Sequence, residues 1–269
     1  MKPDRIPPHS TDSEHTFSVC MLASGSRGNA IYISNGATSV LIDAGLSGVE
    51  IERRLKSRGL CPENLDALIV SHEHADHIHG VGVLSRKYGL PVYMNADTQK
   101  AAYRLGKVNT VKPFNCSTPF MINTLSIYPF PISHDAADPV GFTLEQGGIK
   151  IGIATDLGVV TALVKEHLKE CALLVLEANH DPEMLTQGPY PWPLKQRIKS
   201  RVGHLANEDT HDLLQELQHD RLQHVVLAHL SETNNTPEKA YQAVSPALTR
   251  CFPTLSVATQ GVSGEILRV

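Results

Sequence analysis

A ten-residue segment rich in metal-binding side chains constrains this chain more than any other feature. The apolar run ALIV (67–70) has the composition of a buried strand, and SHEHADHIHG (71–80) follows it directly. That segment holds four histidines, one aspartate and one glutamate. Imidazole nitrogen and carboxylate oxygen are ligands of zinc and similar ions, so the segment predicts a metal site where a strand ends.

The spacing within this segment suits two neighbouring ions. A tight turn after the strand can direct His72 and His74 at one ion. Asp76 and His77 can then face another. Two ions need further ligands, and three residues that each follow an apolar strand can supply them: His134, Asp156 and His229. Asp43 follows SVLI in the same way and is expected to orient a ligand from outside the coordination sphere.

The rest of the chain alternates strands and helices in two halves, and the first half opens with hairpins. Strands are predicted at 17–23, 30–34, 39–43, 67–70, 91–94, 125–132, 141–146, 150–156, 172–179 and 224–230, with two more near the C-terminus. Helices are predicted at 47–59, 81–89, 96–106, 159–170, 193–200, 207–218 and 236–248. Two such halves predict an α/β fold in which two mixed sheets pack face to face with helices outside.

The sequence shows no internal repeat and no interdomain linker, so residues 17–269 are expected to form a single domain. The polar segment 1–16 lacks the apolar stretch of a signal peptide and is expected to be a flexible tail. No apolar run approaches the roughly 20 residues that a membrane helix needs. The five cysteines are scattered and form no CxxC, which is typical of reduced thiols in a cytoplasmic protein.

Seven stretches resemble the YycJ/WalJ group of the metallo-β-lactamase superfamily: ASGSRGNAIYI, LIDAGLSG, SHEHADHIHGVGVLSRKYGLPVY, ATDLG, EANHD, GHLANED and AHLSETNN. HxHxDH is specific to the superfamily, whereas GHLANED and AHLSETNN narrow the resemblance to the group. The similarity runs from about residue 17 to the C-terminus. It implies a four-layer αβ/βα sandwich, a dinuclear metal centre and a hydrolase, in a group described as nucleases with 5′→3′ exonuclease activity on DNA.

The resemblance also implies a ligand set. Three histidines would hold the first ion: His72, His74 and His134. Three residues would hold the second: Asp76, His77 and His229. Asp156 would bridge both ions, which are expected to be zinc or manganese.

The expected reaction is hydrolysis of a DNA phosphodiester by a hydroxide that bridges two divalent ions. Zinc lowers the pKa of bound water to about 7, which makes hydroxide available near neutral pH. Asp76, His204 and Glu177 are the predicted catalytic residues. The resemblance implies that His204 in GHLANED would protonate the leaving oxygen and that Glu177 in EANHD would orient His204. His180 lies nearby in the sequence and stays an alternative donor.

Two segments are expected to contact phosphates. LKQRIKSR carries a basic run with Lys195, Arg197 and Arg201, and the ring of Trp192 could stack on a base. The Gly-rich turn SGSRGN, with Ser24, Ser26 and Asn29, could present backbone N–H groups to an anion. The net charge of −4 does not itself indicate a nucleic-acid-binding protein, but metal ions and a local basic patch can hold phosphates on an acidic chain.

Three alternatives stay open. The first is an RNA-processing nuclease of the same fold, although the short intervals between His134, Asp156 and His229 leave no room for the long arm or large helical insert of such enzymes. The second is a hydrolase of a small ester, lactone or phosphodiester. The third and most remote is a non-catalytic metal-bearing scaffold. DNA is favoured over RNA, DNA-repair proteins are expected as partners, and the oligomeric state is not determined by the sequence.

Overall fold

Two seven-stranded mixed sheets face each other in this structure, a computed structural model that describes residues 17–269. The tail predicted over 1–16 lies outside the described residues. The first sheet contains, in spatial order, β14 (Leu267–Arg268), β1 (Ser18–Ala23), β2 (Ala30–Ser34), β3 (Ser39–Ile42), β4 (Ala67–Ile69), β5 (Pro91–Met94) and β6 (Thr110–Pro113). The second contains β13 (Thr254–Val257), β12 (His224–Ala228), β11 (Leu173–Glu177), β10 (Ile149–Ala154), β9 (Val140–Gln146), β8 (Leu125–Pro131) and β7 (Phe120–Ile122).

Helices cover the outer face of each sheet. The α-helices are α1 (Gly48–Ser57), α2 (Ala75–Ile78), α3 (Val81–Tyr88), α4 (Ala96–Ala101), α5 (Ala162–Leu168), α6 (Pro182–Gln187), α7 (Trp192–Ile198), α8 (Asn207–Leu217) and α9 (Pro237–Val244). Apolar residues of α1 and α3 pack on the first sheet, and those of α5, α8 and α9 pack on the second. The predicted four-layer sandwich is therefore confirmed.

A third apolar cluster fills the space between the sheets, and it explains why the central strands are apolar along most of their length. In β11, Leu173 and Val175 point into the cluster between the sheets. Leu174 and Leu176 point outward into the cluster beneath the helices. Side chains of a strand alternate between its faces, so a strand buried on both faces has no polar positions to alternate.

Parallel pairing brings the important strand ends to one edge. Strands β3 to β6 are parallel to one another, and so are β10 to β13. The segment of histidines follows β4, while Asp156 and His229 follow β10 and β12. Ligands of open parallel sheets bind outside the carboxyl ends of the strands, and the predicted site residues occupy that position here.

Several elements differ from the prediction. The helix predicted over 96–106 ends at Ala101, because a turn closed by Leu105 N–H and Ala102 O replaces the helical hydrogen bonds. Strand β6 is an edge strand with mostly exposed residues, so it lacks the apolar alternation that identifies a strand. The short β7, α2 and α6 were not predicted either.

No helix among residues 17–269 combines the length and apolar character that crossing a bilayer demands.

Candidate metal centre

Strained backbone at three strand ends turns side chains into the centre. Asp43, Asp156 and His229 have φ angles of 58°, 58° and 55°. Residues other than glycine rarely adopt this left-handed conformation, which costs on the order of 1–3 kcal/mol and clusters at functional sites. Hydrogen bonds hold the strained segments, since Asp43 N–H donates to Ile69 O at 2.8 Å and His229 N–H donates to Ser24 Oγ at 2.7 Å.

Backbone hydrogen bonds hold the segment of histidines in place. His74 precedes the single turn of α2, which carries Asp76 and His77. Asn29 N–H donates to Asp76 O and Ala44 N–H donates to His77 O, both at 2.8 Å. The turns after β1 and β3 therefore bind the carbonyl groups of two adjacent residues in this helical turn, which sets the direction of its side chains.

The candidate ligands form two neighbouring groups. In each group the potential ligand atoms lie within 4.8 Å of one another. One group consists of His72, His74 and His134, and the other consists of Asp76, His77 and His229. The structure thus brings together the residues that the sequence analysis assigned to each ion.

Asp156 lies between these groups. Its Oδ1 is 3.3 Å from His229 Nε2 and 3.9 Å from His134 Nε2, while its Oδ2 is 3.4 Å from His77 Nε2. One buried carboxylate therefore faces histidines of both groups, which is the position that a bridging ligand requires.

The outer nitrogens of three histidines have fixed acceptors. His77 Nδ1 donates to Asp43 Oδ2 at 2.7 Å, and His229 Nδ1 donates to Glu177 Oε1 at 2.9 Å. His134 Nδ1 donates to the carbonyl oxygen of Gly203 at 3.2 Å. Such contacts fix the orientation of each ring and leave Nε2 facing the centre, where it can bind a cation once it carries no proton. Asp43 thus has the orienting contact that its sequence position predicts.

Buried polar atoms without partners indicate what the centre accepts. His72 Nε2, His229 Nε2 and Asp156 Oδ2 are buried, and none has a hydrogen-bond partner among residues 17–269. Buried polar atoms are nearly always hydrogen-bonded, so three such atoms at one place need another explanation. Nitrogen and carboxylate donors with free lone pairs fit divalent metal ions.

Burial and nearby carboxylates shift the pKa values of the histidines at the centre in opposite directions. Burial would lower the pKa of His229, but Asp156, Asp76 and Glu177 outweigh it and raise the pKa to about 10. Burial would also lower the pKa of His77, but the carboxylates of Asp156 and Asp43 outweigh burial and raise this pKa well above its usual value. For His72 burial prevails and holds the pKa well below its usual value. A divalent cation would take the place of the protons on the first two rings.

Glu177 joins the centre to His204. Its Oε1 accepts hydrogen bonds from His204 Nδ1 at 2.8 Å and from His229 Nδ1 at 2.9 Å. Its Oε2 accepts from the N–H groups of Leu157 at 2.7 Å and Leu205 at 3.2 Å. Burial would raise the pKa of Glu177, but His204 and His229 lower it to about 2. An ionised carboxylate with four donors is a rigid support for both rings.

His204 faces a cavity of about 260 Å³ beside the candidate ligands His74, Asp76 and Asp156. His180 is 3% exposed and does not line this cavity, and burial lowers its pKa to about 4. Of the two candidate donors, His204 therefore has access to the space in which a substrate would lie.

The predicted phosphate contacts divide into two sets. Ser26 and Arg197 line the cavity. Asn29 lies at the centre itself, with Nδ2 at 3.3 Å from Asp76 Oδ2 and 3.0 Å from His77 Nε2.

The other predicted contacts have different partners in the structure. Ser24 is buried, and its hydroxyl accepts the His229 N–H, so it supports the backbone. Lys195 Nζ donates to the carbonyl oxygens of Thr186 and Gly188 and does not line the cavity. Arg201 is exposed and also lies off the cavity wall. Lys195 and Arg197 lie on α7 and point in different directions, whereas Arg201 follows the helix, so Arg197 is the one of these three that reaches the cavity.

Two supporting residues were missed by the sequence analysis. Ser71 N–H and Oγ–H donate to the two carboxylate oxygens of Asp43 at 2.8 and 2.7 Å. Glu73 Oε1 accepts from Ala137 N–H at 2.8 Å and so holds the loop that carries His134. Both lie inside the segment of histidines, which is the one signal that could have identified them.

Comparison with known proteins identifies proteins that are similar to this chain in sequence or in fold. A family model described as "Beta-lactamase superfamily domain" matches residues 38–230. Exodeoxyribonuclease YycJ of Bacillus anthracis is 41% identical over 235 residues, which cover 86% of this chain and 88% of the relative. Exodeoxyribonuclease WalJ of Streptococcus pneumoniae serotype 2 is 39% identical over 237 residues, with the same coverage. Among solved structures, the metallo-β-lactamase fold protein YhfI from Bacillus subtilis superposes with a TM-score of 0.73 at 18% identity, covering 93% of this chain and 99% of that one.

Proposed function

The chain belongs to the β-lactamase superfamily and is a metallo-β-lactamase-fold protein of the YycJ/WalJ type, and from this premise we propose that it is a metal-dependent exonuclease that degrades DNA from the 5′ end. The observation that carries the proposal is the cavity in which candidate metal ligands, His204 and Arg197 face the same space. The two exodeoxyribonuclease relatives support DNA as the substrate.

Two divalent ions, zinc or manganese, are proposed at the centre. Seven residues would hold them: His72, His74, Asp76, His77, His134, Asp156 and His229. Divalent ions at such a site lower the pKa of water and neutralise the charge of a phosphodiester.

The residues of the chain would supply positioning and a proton. His204 would donate a proton to the leaving oxygen from its Nε2, because its Nδ1 is held by Glu177. Glu177 would fix the orientation of His204 and His229 by accepting a hydrogen bond from each ring. Arg197, at the cavity wall, would bind a phosphate of the strand. We also propose that 17–269 acts as one hydrolase domain, in the cytoplasm, with DNA-repair proteins as partners.

Degradation of linear duplex DNA labelled at either the 5′ or the 3′ end tests the proposal. Mn²⁺ or Zn²⁺ is added, and the Asp76→Ala His77→Ala double variant serves as the control. Metal-dependent release that begins at the 5′ end, absent from the double variant, is the expected result. Intact DNA together with cleaved RNA or a cleaved small phosphodiester would overturn DNA as the substrate while keeping metal-dependent hydrolysis.

A further inference from the structure

A second cavity of about 460 Å³ adjoins the candidate metal centre. It shares His74, Asp76 and Arg197 with the cavity that contains His204. Its remaining wall includes Tyr103 and Arg104, which follow α4. The centre therefore lies between two open spaces, and a strand whose scissile phosphodiester is at the centre would extend into both.

Tyr103 is held in place although its side chain is open to solvent. The residue is 84% exposed. Its neighbours Ala102 and Leu105 are buried in the cluster beneath α3, at 6% and 8% exposure. Hydrogen bonds from Tyr103 N–H to Ala101 O at 2.8 Å and from Leu105 N–H to Ala102 O at 3.0 Å close the turn. An exposed aromatic ring on a fixed backbone has a free face and little entropy to lose on binding.

Two arginines and two carboxylates border the cavity beside this ring. The Arg104 guanidinium lies 5.5 Å from the centroid of the Tyr103 ring. Arg197 also lines this cavity, and it pairs with Asp135 at 3.0 Å. The carboxylate of Glu73 also borders the cavity, but its Oε1 is used by Ala137 N–H and its Oε2 is buried. Asp76 also lines the cavity and is a candidate metal ligand, so Arg104, Arg197 and the cations held at the centre would supply the positive charge that attracts a strand.

We propose that Tyr103 is a stacking platform for an unpaired base of the DNA strand whose phosphodiester lies at the metal centre, with Arg104 at the adjoining phosphate. The inference rests on the proposed nuclease function and adds to it a preference for single-stranded or frayed ends. A base inside a duplex is covered on both faces, so an unpaired base can lie on the ring whereas an internal paired base cannot. Base–aromatic stacking tolerates every sequence, as a degrading enzyme requires. Trp192, the aromatic residue that the sequence suggested, lines neither cavity.

Binding of a single-stranded oligonucleotide tests this role. The probe carries 2-aminopurine near its 5′ end and phosphorothioate linkages that resist hydrolysis, and the metal-loaded full chain is titrated against it. Tyr103→Ala is expected to weaken binding roughly 5- to 100-fold and to abolish the quenching of 2-aminopurine that stacking causes. Tyr103→Phe, which keeps the ring, restores both. Arg104→Ala weakens binding and reduces its dependence on salt.

Activity provides the second readout. Tyr103→Ala is expected to lower kcat/KM for single-stranded DNA far more than for bis(p-nitrophenyl) phosphate, which has no base to stack. The matched control is Phe252→Ala. Phe252 is 90% exposed and precedes β13 at the amino ends of the parallel strands, opposite the centre.

Two results would overturn the role of Tyr103. One is that Tyr103→Ala binds the oligonucleotide and quenches 2-aminopurine as strongly as the wild-type chain does. The other is an equal loss on the oligonucleotide and on the small diester, which would indicate a small ester as the occupant. If the wild-type chain neither binds nor cleaves DNA, both the proposed function and the role of Tyr103 fail. If the wild-type chain cleaves DNA and Tyr103→Ala binds and cleaves it equally well, only the role of Tyr103 fails.

Discussion

A single carboxylate, Glu177, determines the geometry on both sides of the centre. It is fully buried and accepts hydrogen bonds from His204 and His229 through the same oxygen. His204 points into the cavity, whereas His229 points at Asp156. Substitutions at these positions should therefore separate proton donation from metal binding.

Substitution His204→Ala should cut the turnover of DNA by about 10²- to 10⁴-fold, because the leaving oxygen loses its proton donor. Bound metal, measured by atomic emission, should stay at the wild-type level. A diester with a nitrophenolate leaving group should lose much less, since nitrophenolate departs without a proton.

Loss of metal from His204→Ala would argue against this role. His204 also forms a group with Asp156, Glu177 and His229 in which potential ligand atoms lie within 4.8 Å. A metal-depleted variant would mean that His204 is a ligand from that group.

Substitution Glu177→Gln should impair both functions. The amide keeps the shape of the side chain but loses the charge that supports two imidazoles, so we expect metal affinity to fall about 10- to 100-fold. Turnover at saturating metal should also fall, because His204 is no longer oriented. Competition with a chromophoric chelator measures the affinity. An unchanged affinity would restrict Glu177 to orienting His204.

Metal binding should depend on pH because protons and metal ions compete for His229. Without metal, burial would lower the pKa of His229, but Asp156, Asp76 and Glu177 raise it to about 10. The ring is therefore protonated at neutral pH and must release that proton before Nε2 can bind a cation. Metal affinity should keep rising above about pH 7.5, where an ordinary histidine is already neutral.

Isothermal titration in two buffers with different ionisation enthalpies would count the released protons. Release of one or more protons per chain at neutral pH is expected. An affinity that levels off above about pH 7.5 would show that no ligand has a raised pKa.

At the scale of elements, the centre depends on turns that pack backbone against backbone. A Cβ at Gly45 would lie 1.6 Å from the carbonyl oxygen of Asp76. Gly45 N–H also donates to Asn29 O at 2.8 Å, so three segments meet at this point. The turn after β3 thus sets how closely α2 can approach.

Substitution Gly45→Ala should displace α2 and weaken metal binding, with a loss of stability of about 1–3 kcal/mol from overpacking. Urea unfolding and metal content measure the two effects. The control is Gly261→Ala, because a Cβ at Gly261 would have no atom within 4 Å. Gly45→Ala with full metal content would mean that α2 adapts without moving Asp76 and His77.

The whole molecule should be stabilised by metal, because the candidate ligands come from both sheets. His72 and His77 follow β4 of the first sheet, whereas Asp156 and His229 follow strands of the second. Binding at about 100 times Kd contributes about 2.7 kcal/mol, so chelation by EDTA should lower Tm by roughly 5–10 °C. The Asp76→Ala His77→Ala variant should show a much smaller shift. Equal shifts in both proteins would mean that the stabilising metal binds elsewhere.

Local features of the sequence sufficed for much of the fold and for the candidate ligands. Apolar runs and turn residues predicted most strands, and the four-layer sandwich that the family resemblance implied is confirmed. Ligand candidates could be read because each follows an apolar strand, and parallel strands bring such ends to one edge. The edge strand β6 escaped detection because its residues are mostly exposed and carry no pattern.

Only the tertiary structure decided which side chains share a space, because that depends on packing between residues far apart in the chain. Ser24 and Lys195 have the chemistry of phosphate contacts, yet one supports His229 and the other caps carbonyl oxygens. Trp192 and Tyr103 are both exposed aromatics, and only the turn after α4 brings Tyr103 to a cavity wall. The sequence by itself determined the types of side chain at the strand ends. Their directions follow from left-handed backbone at Asp43, Asp156 and His229, which no local pattern encodes and which contacts with distant segments hold at Asp43 and His229.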